Sequence, residues 1–298
     1  MPIIGIDHVM LATGDLDTAR DAFQACLDRP ARPGSRHPGW GTANAVVRFA
    51  DTYLELITVF DRDVARSRPA GRRLADVIDA GGGWAAPVLA ATDLDGTCRA
   101  LRGRGIEVAA PVDGESVRPD GRRRRWRIGV HGDEFRTGRL PSMIEYLDPW
   151  PEDDPAPAEL NRNGIRGLAG VELAVPDLPA RTAEYAALLD TAPLIGDFSA
   201  AWTLPDGRRL RLVTPGRCGD PVDVHLGRLG PGLFQVDLAV EAPERLRGVL
   251  PADDDLVLDP AATAGARLRL VDAARVGGPR RPPAQTRPTV HASGGIRP

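Results

Sequence analysis

Residues 5–17, GIDHVMLATGDLD, decide the fold, because degraded copies of this phrase return three more times along the chain. The copies start at Gly5, Gly83, Gly167 and Gly232, and each keeps a Leu-Ala pair in the same register. Self-similarity of this kind indicates an internal repeat. Only the first copy places a histidine, His8, inside the apolar stretch, and that histidine needs a physical reason.

Each copy predicts the same order of elements. An aliphatic and β-branched strand ends at an Asp-Leu, where Asp15, Asp93 and Asp177 are placed to cap a helix. Alternation of apolar and polar residues after each helix predicts further strands, so every unit is β-α-β-β-β. The predicted helices are 18–27, 97–101, 181–189 and a weaker 244–250. The predicted later strands lie around 43–49, 52–59, 126–130, 142–147, 201–204, 208–214 and 266–271.

The repeat predicts an α+β chain of two domains. Modules one and two form the first domain, residues 1–150, and modules three and four form a second, degenerate domain, residues 164–275. The segment between them, 151–163, is rich in proline and acidic residues and is typical of a linker. Residues 276–298 contain few large apolar side chains, so we expect a disordered tail.

Composition excludes several classes of function. The 298-residue chain has 38 basic residues, and all of them are arginine, so Schiff-base, pyridoxal-phosphate and P-loop chemistry lack their lysine. Three scattered cysteines argue against a disulfide framework or a zinc-cysteine site. We expect no signal peptide, no membrane span and a cytoplasmic location. With a net charge of -3 and no basic face, we expect no nucleic-acid partner, and we interpret Arg122–Arg125 as a solvated hairpin end rather than an anion patch.

The first domain resembles a known superfamily. Paired β-α-β-β-β units with a histidine in the first strand and a glutamate in the last are similar to vicinal-oxygen-chelate proteins. Residues 34–57, GSRHPGWGTANAVVRFADTYLELI, are similar to the glyoxalase-like domain family within it. The resemblance implies two cupped, incomplete mixed β-barrels with helices outside. It also implies metal ligands that project inward from the first and last strands of each module.

The metal ligands implied are His8, Glu55 and Glu145. Alternation puts His8 on one strand face with Met10, and both glutamates stand in the middle of apolar strands. Because an unpaired buried carboxylate is costly, each glutamate must bind a cation or line a wet cavity wall. One nitrogen and two oxygen donors favour Mn, Fe(II), Zn or Mg. Ala86 occupies the place of the second histidine, so the site is also compatible with metal-free acid–base catalysis.

The other candidate residues lie around the same cup. His37 stands in a Gly-Trp-Gly-Thr loop as a fourth ligand or a general base, and Glu145 is the second catalytic candidate. The alternative for His37 is that it packs the loop together with Trp40. The candidate substrate-binding residues are Trp40, Asn44, Tyr53 and Trp126.

The second domain lacks these donors. Its histidine positions are Gly170 and Gln235, and its glutamate positions are Arg211 and Arg269. Guanidinium groups hold no metal. Glu172 and Asp237 stand on the same strand face, so we expect ion pairs that close this cup as a scaffold. The alternative is that the two arginines hold an anionic ligand.

These observations leave two hypotheses for the function. The first is a metal-dependent enzyme of the vicinal-oxygen-chelate type, with isomerase, lyase or ring-opening chemistry beside a carbonyl, or with dioxygenase-like chemistry. The second is a metal-free binding protein that sequesters a small natural product or an antibiotic in the same cup. Both take a small-molecule partner, and the chain is expected to be a monomer or a homodimer.

Overall fold

The computed structural model describes residues 3–49, 51–118, 120–132, 139–148, 163–247, 249–253 and 255–275. The N-terminal half contains β1 (Ile3–Ala12), α1 (Leu16–Leu27), β2 (Arg32–His37), β3 (Thr42–Arg48), β4 (Tyr53–Val59), α2 (Arg62–Arg66), α3 (Pro69–Asp79), β5 (Gly83–Ala91), α4 (Leu94–Gly103), β6 (Val112–Val117), β7 (Arg123–Gly129) and β8 (Ser142–Tyr146). The C-terminal half contains β9 (Ile165–Ala174), α5 (Leu178–Leu189), β10 (Leu194–Gly196), β11 (Ser199–Thr203), β12 (Arg209–Val213), α6 (Pro221–Leu229), β13 (Gly232–Val240) and β14 (Leu268–Asp272).

The three predicted helix caps are present. The Asp15 carboxylate accepts hydrogen bonds from the backbone N–H groups of Asp17 and Thr18 at the start of α1. Asp93 caps α4 and Asp177 caps α5 in the same manner. These bonds satisfy N–H groups that have no partner within the helix. The helices therefore begin where each repeat's Asp-Leu predicts.

The strands of the N-terminal half form a barrel in the order β1-β4-β3-β2-β6-β7-β8-β5. Strand β1 pairs in parallel with β4 and antiparallel with β5, so the two modules meet along their first strands. On the opposite side, β2 and β6 pair at Arg36 and Val117 and close the barrel. The sequence predicts an incomplete barrel, and this detail is wrong, because the hairpin of β6 and β7 reaches β2.

Alternation along β1 separates two environments. Val9 and Leu11 are fully buried on the outer face, against the helices. His8 and Met10 line the interior of the barrel. The outer-face core continues without interruption into the C-terminal half, where Tyr185 of α5 belongs to the same cluster of buried residues. The barrel interior is thereby left for the site.

The C-terminal half is an open sheet of six strands in the order β10-β11-β12-β9-β13-β14. The predicted second barrel is therefore wrong. In the part of module four that the structure describes, the strands are β13 and β14, and a 3₁₀ turn, Pro243–Leu246, stands where helix 244–250 is predicted. The physical reason lies between those strands, where three prolines and an acidic stretch interrupt any apolar alternation. The unpredicted α6 covers part of the sheet, since Val222 and Leu226 pack on Ala174, Val213 and Phe234.

Buried polar contacts join the two halves. The guanidinium of Arg208, 5% exposed, lies 2.6 Å from Asp51 Oδ1 and 2.8 Å from Asp206 Oδ2. Asp206 also accepts a hydrogen bond from the Ile6 N–H at 2.9 Å. The Trp84 indole N–H donates to the Arg267 carbonyl at 3.0 Å. These contacts hold β1, which carries His8, against the C-terminal sheet.

In the part of the chain that the structure describes, no helix combines the length and the apolar character needed to cross a membrane. The predicted linker 151–163, except for its last residue, and the predicted tail 276–298 lie outside the described residues. The division into two domains stays a prediction.

Replacing Arg208 by Leu is expected to destabilise the protein by about 3 kcal/mol, because Asp206 loses a buried cationic partner. Urea-induced unfolding, followed by circular dichroism, measures this loss. Arg62→Leu is the matched control, since Arg62 pairs with Asp79 on the exposed surface and its loss should leave the midpoint nearly unchanged. Equal midpoints for the two variants would show that the Arg208 bridge does not hold the halves together.

Candidate active site

The barrel encloses a cavity of about 390 Å³, a size typical of small-molecule sites. Its lining follows strand alternation, with Thr42, Asn44, Val46 and Arg48 from β3 as an example. Most of the lining is apolar. A cluster of polar side chains lies in it, formed by His8, His37, Asn44, Tyr53, Glu55 and Tyr146, and several arginines also line it.

His8 lies between two carboxylates. Its Nδ1 atom is 2.6 Å from Asp7 Oδ1, and its Nε2 atom is 3.3 Å from Glu55 Oε2. The ring is 5% exposed and stacks on Tyr53 with centroids 4.5 Å apart. Burial alone would lower the pKa of His8, but the hydrogen bonds to Asp7 and Glu55 outweigh it and raise the pKa to about 9. The histidine in the apolar strand is thus an imidazolium neutralised on both sides.

A β-bulge brings Asp7 beside His8. Along the β1–β5 pair, Ile6 lies opposite Leu89 and His8 lies opposite Val88, so Asp7 is the extra residue. A bulge re-aims side chains that strict alternation would send to opposite faces. Asp7 therefore reaches the His8 ring, although the period-2 pattern places it on the outer face. For this reason Asp7 is absent from the candidates that the sequence predicts.

Glu55 is held by two donors. Its Oε2 atom faces His8, and its Oε1 atom accepts a hydrogen bond of 2.5 Å from Asn44 Nδ2. The carboxylate is 6% exposed. Burial would raise the pKa of Glu55, but His8 and Asn44 outweigh that effect and lower it. Glu55 is therefore a carboxylate at neutral pH, in a fixed orientation.

Two tyrosines complete the polar cluster. The hydroxyls of Tyr53 and Tyr146 are 3.0 Å apart, and Tyr146 donates to Asp7 Oδ1 at 3.1 Å. Burial, together with nearby negative charge, raises the pKa of both phenols well above the usual value, so both stay protonated. The guanidinium of Arg124 lies 3.3 Å from the centre of the Tyr146 ring. Tyr146 is not among the sequence candidates, because the repeat pattern favours its neighbour Glu145.

His37 is the last residue of β2, Trp40 lies in the short 3₁₀ turn that follows, and both line the cavity. His37 Nδ1 is 3.1 Å from Thr42 Oγ1, and burial lowers the pKa of the ring, so His37 is neutral. Trp40 packs against Trp126 with centroids 5.6 Å apart. Gly41 has φ +65°, and a Cβ there would lie 2.3 Å from the Asp61 carbonyl oxygen. Gly41 is therefore required for the close approach of two backbone segments.

Glu145 lies on the outer face of the barrel and does not join His8 and Glu55. Its Oε2 atom accepts a hydrogen bond from the Leu94 N–H at 3.2 Å, at the start of α4, and lies 4.0 Å from Arg127 Nη1. The predicted three-residue set is therefore not brought together. The reason is register: Met10 pairs with Glu55 in module one and Val88 pairs with Ser142 in module two. Ser142 is therefore the counterpart of Glu55. Glu145 lies three residues further along β8, and because side chains alternate between the two faces, an odd step places it on the outer face.

A resident divalent metal does not fit this donor set. Apart from His8 and Glu55, the matching positions of module two are Ala86 and Ser142, and both nitrogens of His8 already face carboxylates. Catalytic metal sites use three protein ligands as a rule. Among the described residues, no group of three or more His, Cys, Asp or Glu side chains is arranged to hold a metal ion.

The predicted ion pairs of the second half are present. Arg211 Nη1 is 3.0 Å from Glu172 Oε1, and Arg269 Nη2 is 2.8 Å from Glu172 Oε1 and 2.6 Å from Asp237 Oδ2. Gln235 donates to Asp237 at 3.1 Å. These pairs occupy the place that the His8 cluster occupies in the barrel.

Comparison with known proteins agrees with this architecture. A family model described as "Glyoxalase-like domain" matches residues 6–189, more than half of the chain. The chain therefore belongs to the glyoxalase-like domain family, within the vicinal-oxygen-chelate superfamily. A search of curated proteins finds no match.

Two solved structures illustrate the shared fold. A hypothetical protein from Staphylococcus aureus is 14% identical, with a TM-score of 0.67 over 91% of this chain and 100% of that one. A mutant of 4-hydroxymandelate synthase from Streptomyces coelicolor is 17% identical, with a TM-score of 0.54 over 84% of this chain and 75% of that one. At these identities the likeness shows the fold.

Protein purified without chelator is expected to contain no stoichiometric metal, because two protein donors bind a divalent ion weakly. Elemental analysis measures the content. Thermal unfolding with added Mn, Fe(II), Zn or Mg should show no increase in Tm. Stoichiometric metal that disappears in Glu55→Gln and remains in Glu145→Gln would contradict this prediction. Loss of metal in Glu145→Gln as well would restore the three-ligand set predicted from the sequence.

Proposed function

We propose that the barrel cavity is the active site of an enzyme that moves a proton beside a carbonyl group of a small organic substrate. Isomerisation and elimination beside a carbonyl can both begin with this step. The observation that carries the proposal is the His8–Glu55 pair, an acid in its protonated form beside a base in its ionised form, buried in a cavity of ligand size.

His8 supplies the acid. A pKa of about 9 keeps the ring charged at neutral pH. Asp7 holds Nδ1 at 2.6 Å, which fixes the ring and directs the Nε2–H group toward the cavity side where Glu55 lies. A donor fixed in advance stabilises the negative charge that develops on a carbonyl oxygen when the neighbouring C–H bond breaks. The imidazolium is thus proposed to hydrogen-bond the enolate oxygen.

Glu55 supplies the base. Its carboxylate takes the proton from the carbon beside the carbonyl, and the C–H electron pair becomes part of the enolate. Return of the proton to a different carbon or a different face gives an isomer, and departure of a group from the next carbon gives a lyase product. The 3.3 Å contact between His8 and Glu55 is longer than a tight charge-assisted hydrogen bond. A substrate that binds between His8 and Glu55 therefore replaces only a weak contact.

The remaining polar groups position these two. Asn44 fixes the Glu55 carboxylate, and the Tyr53 ring supports the His8 ring from one side. His37 is the competing candidate for the base, since it is neutral and lines the same cavity. Glu55 is preferred because its carboxylate lies next to the acid and is oriented by Asn44.

A second function, ligand binding without turnover, also has specific support. The cavity lining is mostly apolar, and the Trp40 and Trp126 rings form part of it. Such a surface holds a flat apolar molecule whatever the polar cluster does. In that case Asn44 and Tyr53 serve as polar contacts to the ligand.

Deuterium exchange tests the proposal in both cases, an isomerase reaction and a lyase reaction. A panel of small 2-oxo acids and hydroxyketones is incubated with the protein in D₂O, and NMR records deuterium at the carbon beside the carbonyl. We expect exchange of at least one compound, with a loss of about 10²-fold or more in Glu55→Gln. The rate should fall as the pH rises above about 9, because His8 then loses its proton.

Glu145→Gln is the matched control, because Glu145 faces away from the cavity. It should exchange as the unmodified protein does. Loss of exchange in His37→Gln, with full activity in Glu55→Gln, would assign the base to His37. Ligand binding without any exchange across the panel would favour the binding function.

A further inference from the structure

The cavity is bordered by arginines that the acid–base proposal does not use. They come from β2, from β3 and from the hairpin of β6 and β7. They are more exposed than His8: four are half-buried and two are exposed, whereas His8 is buried. The half-buried residues are Arg32, Arg48, Arg118 and Arg124, and the exposed ones are Arg122 and Arg123.

Arginines outnumber carboxylates among the described residues of this lining. Among the described residues that line the cavity, Glu55 is the only acidic one, and its partners are His8 and Asn44. The two exposed arginines have acidic partners just outside the cavity, since Arg122 pairs with Asp120 and Arg123 pairs with Glu115. The half-buried arginines also have interaction partners of their own. The lining itself nevertheless brings several guanidinium groups to one side of a cavity of ligand size.

Strand β7 separates arginines that face the cavity from arginines that face outward. Arg125 and Arg127 point outward and form ion pairs with Asp148 at 2.8 Å and Asp95 at 2.6 Å. Arg124, between them, points inward and lies over the Tyr146 ring. The arginine run interpreted from the sequence as a solvated hairpin end thus has two faces. Its inward residue is partly removed from water, and burial lowers the pKa of Arg124.

We propose that the ligand of the cavity is a small organic anion, whose carboxylate or phosphate group lies among the half-buried arginines. Guanidinium groups match such oxyanions with paired hydrogen bonds. The apolar body of the molecule then contacts the wall of Trp40 and Trp126, and its other end lies near His8. This inference rests on the proposed function only in using the same cavity as the site.

The test compares two fluorescent probes that differ by one anionic group. 8-Anilinonaphthalene-1-sulfonate carries a sulfonate, and N-phenyl-1-naphthylamine has the same rings without it. Titration of the full chain should give at least about tenfold tighter binding of the sulfonate, about 1.4 kcal/mol. This preference should shrink as salt increases, because salt screens charge. Equal affinities, or a preference that salt does not change, would overturn the proposal.

Variants locate the anion within the protein. Arg124→Gln should weaken sulfonate binding about tenfold or more and leave the neutral probe unchanged, and Arg124→Lys should restore part of the loss. Arg125→Gln, the outward neighbour, is the matched control and should change binding less than about twofold. Equal losses in Arg124→Gln and Arg125→Gln would show surface attraction and overturn the site.

Competition identifies the anion class. Benzoate or phenyl phosphate should displace the sulfonate probe, and neutral benzamide should not. The stronger competitor shows whether the half-buried arginines prefer carboxylate or phosphate. Displacement by benzamide as strongly as by both anions would contradict the proposal. These readings need no turnover. A protein that fails the deuterium-exchange test and still prefers the anions therefore rejects the proposed reaction alone.

Discussion

A buried imidazolium between two carboxylates is the constraint on which the rest of the structure depends. Three ionised groups in an apolar barrel would each cost several kcal/mol if they stood alone. His8 meets Asp7 on one side and Glu55 on the other, and Asn44 and Tyr146 supply further hydrogen bonds to the two carboxylates. The bulge in β1 and the closed barrel both serve this arrangement, because the bulge aims Asp7 at His8 and the barrel strands bury His8 and Glu55.

The two halves solve the same physical problem with opposite charges. In the barrel, the cation stands on the first strand and the acid on its parallel partner, as His8 and Glu55. In the C-terminal sheet, the acids stand on the first strands, as Glu172 and Asp237, and the cations on their parallel partners, as Arg211 and Arg269. There the charges pair closely and α6 covers part of the sheet. In the barrel, a cavity remains beside the charges.

The sequence predicts a large part of this arrangement. Alternation along strands places His8, Asn44, Tyr53 and Glu55 on the inner face, because regular strands obey a period of two. Asp7 escapes prediction because a bulge breaks that period, and nothing in one sequence marks a bulge. Glu145 is predicted to lie inside because each of the two glutamates stands in the middle of an apolar strand, although pairing makes Ser142 the counterpart of Glu55. The described residues of module four lack two of the expected strands because of prolines whose effect a repeat alignment hides.

NMR titration of the histidine rings tests the central claim most directly. The account predicts that His8 titrates with a midpoint near pH 9 and that Glu55→Gln lowers this midpoint, because Glu55 helps to hold the proton. His131 and His225 serve as internal references, since burial lowers the pKa of each to about 4. A His8 midpoint at or below 6.5, or one that Glu55→Gln leaves unchanged, would contradict the imidazolium and the acid–base site built on it.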